Sequence, residues 1–124
     1  MKNADKDTSQ NQTYSAIFSA KTAEQFKERI KHHLMSFQGR DPMRAGPRDV
    51  YKALSYALRD VLVEKWIETQ KNFYAKKSKR VYYLSLEFLV GRTLGNTLIN
   101  SGLMGEATKA LEQLGYDLEE VREV

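Results

Sequence analysis

The stretch Val81-Tyr-Tyr-Leu-Ser-Leu-Glu-Phe88 constrains the fold more than any other part of the chain. Val81, Tyr82, Tyr83, Leu84, Leu86 and Phe88 are β-branched, aromatic or aliphatic on both alternating faces, which is how a strand reads when it is covered on two sides in a parallel sheet. Such a strand cannot satisfy its own hydrogen-bond ladder and needs a neighbour on each edge. No second segment of the 124 residues reads as a convincing strand. The expectation is a chain that forms the front end of a larger α/β protein, mostly helical itself, with one main β-strand near 80–88.

The remainder reads as helices and loops. Residues 1–20 are polar apart from Tyr14, Ile17 and Phe18 and are expected to form a flexible arm. From Thr22, a capping residue with Gln25 three positions on, Phe26, Ile30, Leu34 and Phe37 recur at helical spacing as far as Gly39. The segment Gly39–Asp49 holds two glycines and both prolines of the chain and predicts a loop, with Pro47 suited to the first turn of the next helix. Val50, Leu54, Ala57, Leu58, Val61, Leu62, Lys65, Trp66 and Thr69 then trace one broad face towards Phe73. Residues 21–79 are thus expected to form an antiparallel helical hairpin. After the strand, Leu94 and Leu98 restore helical spacing until Gly102, Glu106–Leu114 is amphipathic and stops at Gly115, and the acidic tail from Tyr116 predicts a short helix or turn.

Charge is distributed unevenly. Residues 1–80 carry 17 Lys and Arg against 9 Asp and Glu, whereas residues 81–124 carry 3 against 7. A basic half can mark a nucleic-acid surface, and Lys71–Arg80 interleaves aromatics with cations, but cations near a helix carboxyl end have a simpler origin in the helix dipole. No apolar run approaches the roughly 20 residues that a membrane helix requires, and the N-terminus lacks the apolar core of a secretory signal. The absence of cysteine removes disulfides and thiolate chemistry and fits a cytoplasmic location. Neither nucleic acid nor membrane is expected as a partner.

Glu87 stands out chemically as an acid near the carboxyl end of an apolar strand, where open α/β sheets gather ligands. An ion pair with Arg92 or bonds to backbone amides would explain it equally well. Gly91, Arg92 and Gly95 could cradle a phosphate where the next helix begins, although their spacing matches neither phosphate-binding fingerprint and close helix packing accounts for the glycines as well. His32 and His33 are adjacent and diverge by about 100° on a helix, a poor metal pair. Ser85 and Ser101 lack the setting of a nucleophile elbow. Trp66, Phe73, Tyr74, Tyr82 and Tyr83 read as core or interface rather than as a stacking platform for bases.

The segment Trp66–Leu103, with Tyr-Tyr-Leu-Ser-Leu-Glu-Phe-Leu-Val-Gly-Arg (82–92) as its most specific part, resembles the N-terminal region of the glycogen and other α-glucan phosphorylases. The likeness extends back through Pro47–Trp66 and more loosely over about Lys21 to Val124. It implies a glycosyltransferase of two Rossmann-like domains, with residues 80–124 as the start of the first. The implied activity is phosphorolysis: inorganic phosphate takes the terminal α-1,4-linked glucose of a glucan to give glucose 1-phosphate with retained configuration. The implied cofactor is pyridoxal phosphate, acting through its phosphate. The cofactor lysine and the glycine-rich active-site loop lie further along in the family, so the chain is expected to be inactive alone. Glu87 matches a family acid that lines the catalytic cleft in a supporting role, and Leu89 stands where muscle-type members carry a tyrosine near the cofactor. Tyr74 and Gln70 match residues of a nucleotide effector pocket, to which Asp41 would come from the partner subunit of a homodimer. Around them Glu68 and Lys71 replace an arginine and a glutamine, and Pro42, Met43 and Arg44 replace the usual cap sequence. Ser15 has no basic neighbour and does not match the regulatory phosphoserine. The competing expectation is a non-catalytic interaction module that uses the helical hairpin and its basic face to bind protein or nucleic acid.

Overall fold

A computed structural model describes residues 22–88 and 90–124. The expected arm at 1–20, Ser15 and Leu89 lie outside the described residues. Among the described residues five α-helices follow one another: α1 (Ala23–His32), α2 (Pro47–Lys76), α3 (Leu94–Ser101), α4 (Met104–Gln113) and α5 (Leu118–Arg122). A π-helical turn, His33–Phe37, prolongs α1 towards Gly39.

Local chemistry explains the boundaries. Thr22 Oγ1 accepts the Gln25 amide at 3.3 Å and starts α1. Pro47 occupies the first position of α2, where a missing N–H costs nothing, and the Asp49 carboxylate reaches back to the Gly46 amide at 3.3 Å. Asp117 caps α5 by accepting the Glu120 amide at 3.0 Å. At the end of α4, Gly115 takes φ +82°, a conformation that a Cβ would strain, and this turns the chain so that the amides of Gly115 and Tyr116 bond the carbonyls of Glu112 (3.0 Å) and Leu111 (2.9 Å).

α1 and α2 are antiparallel. Going forward along α1 and its extension, Arg29 and His33 meet Asp60, Phe37 meets Tyr56, and the Gln38 side chain reaches the Asp49 carbonyl, so the partners run backwards along α2. Phe26, Ile30 and Leu34 of the first segment, Val50, Leu54 and Leu58 of α2, and Leu98, Leu111 and Val121 of the last three helices share one buried cluster. No buried residue is polar or charged among the described ones. That cluster stops at Val61. Leu62, Trp66 and Ile67 are exposed at 39%, 61% and 44%, so the later turns of α2 project past the helices that cover its first half. Trp66 is therefore not a core residue, although its spacing places it on the apolar stripe.

The strand expected at 80–88 does not form. Among the described residues there is no strand at all, and 79–88 and 90–93 carry no regular structure. Val81, Leu84 and Leu86 are almost fully exposed. The reason is the one that made the segment conspicuous: its amides and carbonyls need neighbouring strands, and the described helices offer none. Local contacts take their place. The Ser85 hydroxyl donates to the Glu87 carbonyl oxygen at 2.6 Å and lies 3.2 Å from the Glu87 amide, and the Tyr83 and Phe88 rings meet edge to face at 6.2 Å.

Candidate functional site

Glu87 sits in the irregular segment between α2 and α3, exposed to solvent. The suggested pairing with Arg92 is absent: Arg92 Nη1 instead donates to Glu123 Oε2 at 2.6 Å, tying the approach to α3 to the end of α5. Both members of that pair are largely exposed, so it contributes little to stability. A Cβ on Gly91 would meet nothing within 4 Å, so no close backbone approach requires a glycine there. Gly95 differs, because a Cβ there would lie 2.9 Å from the Arg122 guanidinium that packs over it. The structure thus places the proposed phosphate-cradle residues Gly91 and Arg92 ahead of α3 but gives Gly95 a packing role.

Tyr74 and Gln70 lie one turn apart on the projecting end of α2 and share a face. Gln70 is half-buried and Tyr74 is exposed. The Arg80 guanidinium folds back over this end, 4.7 Å from the Tyr74 ring centroid and 5.8 Å from that of Phe73. Hydrogen bonding to Tyr82, and then to Tyr74, raises the pKa of the Arg80 guanidinium above its ordinary value. Asp41 lies at the opposite end of α2, in the loop 39–46, where its Oδ1 accepts the Met43 amide at 3.0 Å. Helical rise over Pro47–Tyr74 puts roughly 40 Å between the loop and Tyr74, so one chain does not bring Asp41 together with Tyr74 and Gln70.

His32 and His33 face different partners. His33 Nε2 lies 2.8 Å from Asp60 Oδ2, and His32 Nδ1 lies 3.4 Å from the Ser36 hydroxyl. Arg29 Nη1 donates to the same Asp60 oxygen at 3.0 Å, giving a half-buried cluster between α1 and α2. Its signal in the sequence was the i, i+4 spacing of Arg29 and His33, but nothing local points to Asp60 as their partner. No group of three or more His, Cys, Asp or Glu among the described residues could hold a metal ion. No helix among them is long and apolar enough to cross a membrane. A pyridoxal phosphate site also finds no fit among them, because a Schiff-base lysine works from a desolvated position and none of the described lysines is buried.

No family model matches the chain. It is 47% identical over 100 residues to the muscle form of glycogen phosphorylase from Ovis aries, a match covering 81% of the chain and 12% of the relative. Identity to the muscle form from Rattus norvegicus is 40% over 121 residues, covering 98% and 14%. The liver form from Homo sapiens is 45% identical over 108 residues, covering 87% and 13%. The chain is therefore a relative of the glycogen phosphorylases, and it spans only 12% to 14% of the length of these relatives.

Proposed function

We propose that this chain is the N-terminal part of an α-glucan phosphorylase, a cytoplasmic glycosyltransferase that passes the terminal α-1,4-linked glucose of a glucan to inorganic phosphate and releases glucose 1-phosphate. The observation that carries the reading is an identity of 40% to 47% sustained over 100 to 121 residues of this chain. In the complete protein residues 80–88 become a sheet strand once neighbouring strands exist, and residues 80–124 open a Rossmann-like domain behind the helical hairpin 21–79 and the arm 1–20. The exposed apolar side chains of Val81, Leu84 and Leu86 support this, since folding against a sheet would remove them from water. Strand formation would carry Glu87 to the wall of the cleft in its supporting role.

Pyridoxal phosphate in the complete enzyme would supply a proton-exchanging phosphate next to the substrate phosphate. Its lysine belongs to residues other than these, and the 124-residue chain alone is inactive. The complete enzyme works as a homodimer. The roughly 40 Å between Asp41 and Tyr74 along α2 supports a pocket assembled from two subunits, with Asp41 of one facing Gln70 and Tyr74 of the other.

The test is glucose 1-phosphate formation from glycogen, and from maltodextrins, in the presence of inorganic phosphate. The complete gene product is expected to form it and the 124-residue chain is not. A complete gene product that forms none on any glucan would overturn the proposal.

A further inference from the structure

The turn between α4 and α5 makes one long-range polar contact. The Tyr116 hydroxyl donates to the Ala45 carbonyl oxygen at 2.7 Å, across 71 positions of sequence. Its origin is readable step by step. Gly115, at φ +82°, reverses the backbone after α4. The Tyr116 amide then bonds the Leu111 carbonyl at 2.9 Å, and the ring lies against the buried cluster, half-buried. Both the backbone and the ring of Tyr116 are thereby fixed before its hydroxyl reaches the loop.

The loop it reaches has few other ties. Ala45 is its one buried residue, whereas Arg40, Asp41, Met43 and Arg44 are exposed, Met43 at 89%. Within the loop the Asp41 carboxylate accepts the Met43 amide at 3.0 Å, and the Asp41 carbonyl accepts the Arg44 amide at 3.0 Å. At its far end Asp49 holds the Gly46 amide at 3.3 Å and stands 3.7 Å from Arg40 Nε.

We propose that Tyr116 is a positioning residue for the loop 39–46: its hydroxyl clamps the Ala45 carbonyl and so fixes the shape in which Asp41, Met43 and the flanking arginines are presented. The α4–α5 turn and the loop then move as one body. A loop held in one shape gives up less freedom when a partner surface engages it, which is the value of fixing it in advance. The tether rests on these bonds alone and stands whether or not the chain belongs to a phosphorylase.

Amide hydrogen exchange on the complete protein carrying Tyr116→Phe tests this, because Phe keeps the ring and its packing while removing only the donor. Exchange at Met43, Arg44 and Gly46 is expected to rise about fivefold to tenfold, in line with losing one hydrogen bond from a locally opening segment. Exchange at Phe26 and Ile30 in α1 should stay as it was. Gly115→Ala, which strains the turn that aims Tyr116, is expected to loosen the same three amides. Unchanged exchange at Met43, Arg44 and Gly46 in Tyr116→Phe would overturn the proposal. So would an equal rise in α1, which would mark a general loss of stability rather than a tether.

Discussion

Asp60 and His33 meet across the interface of the first two helices at 2.8 Å, on the carboxylate oxygen that also receives Arg29 at 3.0 Å. The side chains retain only 14% to 21% of their exposure, so water replaces little of what this carboxylate provides. Removing it takes away the acceptor that the Arg29 guanidinium and the His33 imidazole share across the two helices. Asp60→Ala is therefore expected to lower the unfolding free energy by about 1–3 kcal/mol. His33→Ala should cost less, because Arg29 keeps its partner. Denaturant unfolding of both variants checks the order, and equal losses would show that Arg29 contributes nothing.

The core is expected to respond more strongly at the centre of the α1–α2–α4 contact than on the outer turns of α2. Phe26 and Leu54 are fully buried and unaccompanied by any buried polar group. Phe26→Ala should cost about 3–5 kcal/mol and Leu54→Ala about 2–5 kcal/mol, through lost transfer energy and the cavity left behind. Trp66→Ala, on the same stripe of the sequence but 61% exposed, should cost under about 1 kcal/mol in the 124-residue chain. Thermal or denaturant unfolding of the three variants side by side would settle whether the buried cluster ends at Val61.

The contrast between Leu54 and Trp66 shows what periodicity can and cannot tell. The stripe along α2 is continuous in the sequence, and nothing in it records that the covering helices run out after Val61. Several helix ends were legible because their causes are local: Thr22 caps, Pro47 starts, and Gly39, Gly102 and Gly115 take positive φ where the extension of α1, α3 and α4 stop. The strand expected at 80–88 rested on composition alone, and it does not form here because a ladder is a property of several segments and 80–88 has no neighbour among the described residues. Asp60 and Tyr116 were missed for a related reason. Each acts on a residue 27 to 71 positions away, and the only advance signs were the i, i+4 pair Arg29 and His33 and a tyrosine placed directly after a helix-ending glycine.

α2 ends without the positive-φ glycine that follows the extension of α1, α3 and α4. Lys77 takes φ +48°, the only positive value among the described residues that are not glycine, while the Lys77 and Ser78 amides bond the Tyr74 and Phe73 carbonyls at 3.3 and 3.2 Å. A side chain in that conformation costs about 1 kcal/mol relative to glycine. Lys77→Gly is expected to slow amide exchange over residues 73–78 by about threefold to fivefold. Global stability should hardly change, since these turns lie beyond the core. A shift in the unfolding midpoint without local protection would show that the end of α2 is coupled to the core after all.

The apolar run after α2 gives opposite expectations in the chain alone and in a complete protein. Here Leu84 and Leu86 are almost fully exposed and contribute nothing to the buried cluster, so Leu84→Lys with Leu86→Lys should leave the unfolding midpoint of the 124-residue chain unchanged. The same change should reduce self-association measured by sedimentation or light scattering, because an unpaired apolar segment rich in β-formers is a template for pairing with other copies. In the complete protein, the proposed strand would have to bury both lysines between layers. Burying even one unpaired charge is costly enough that soluble expression should fall sharply. Equal tolerance in both contexts would mean that residues 80–88 stay at the surface in the complete protein, and would remove the sheet from the proposal while leaving the family relationship intact.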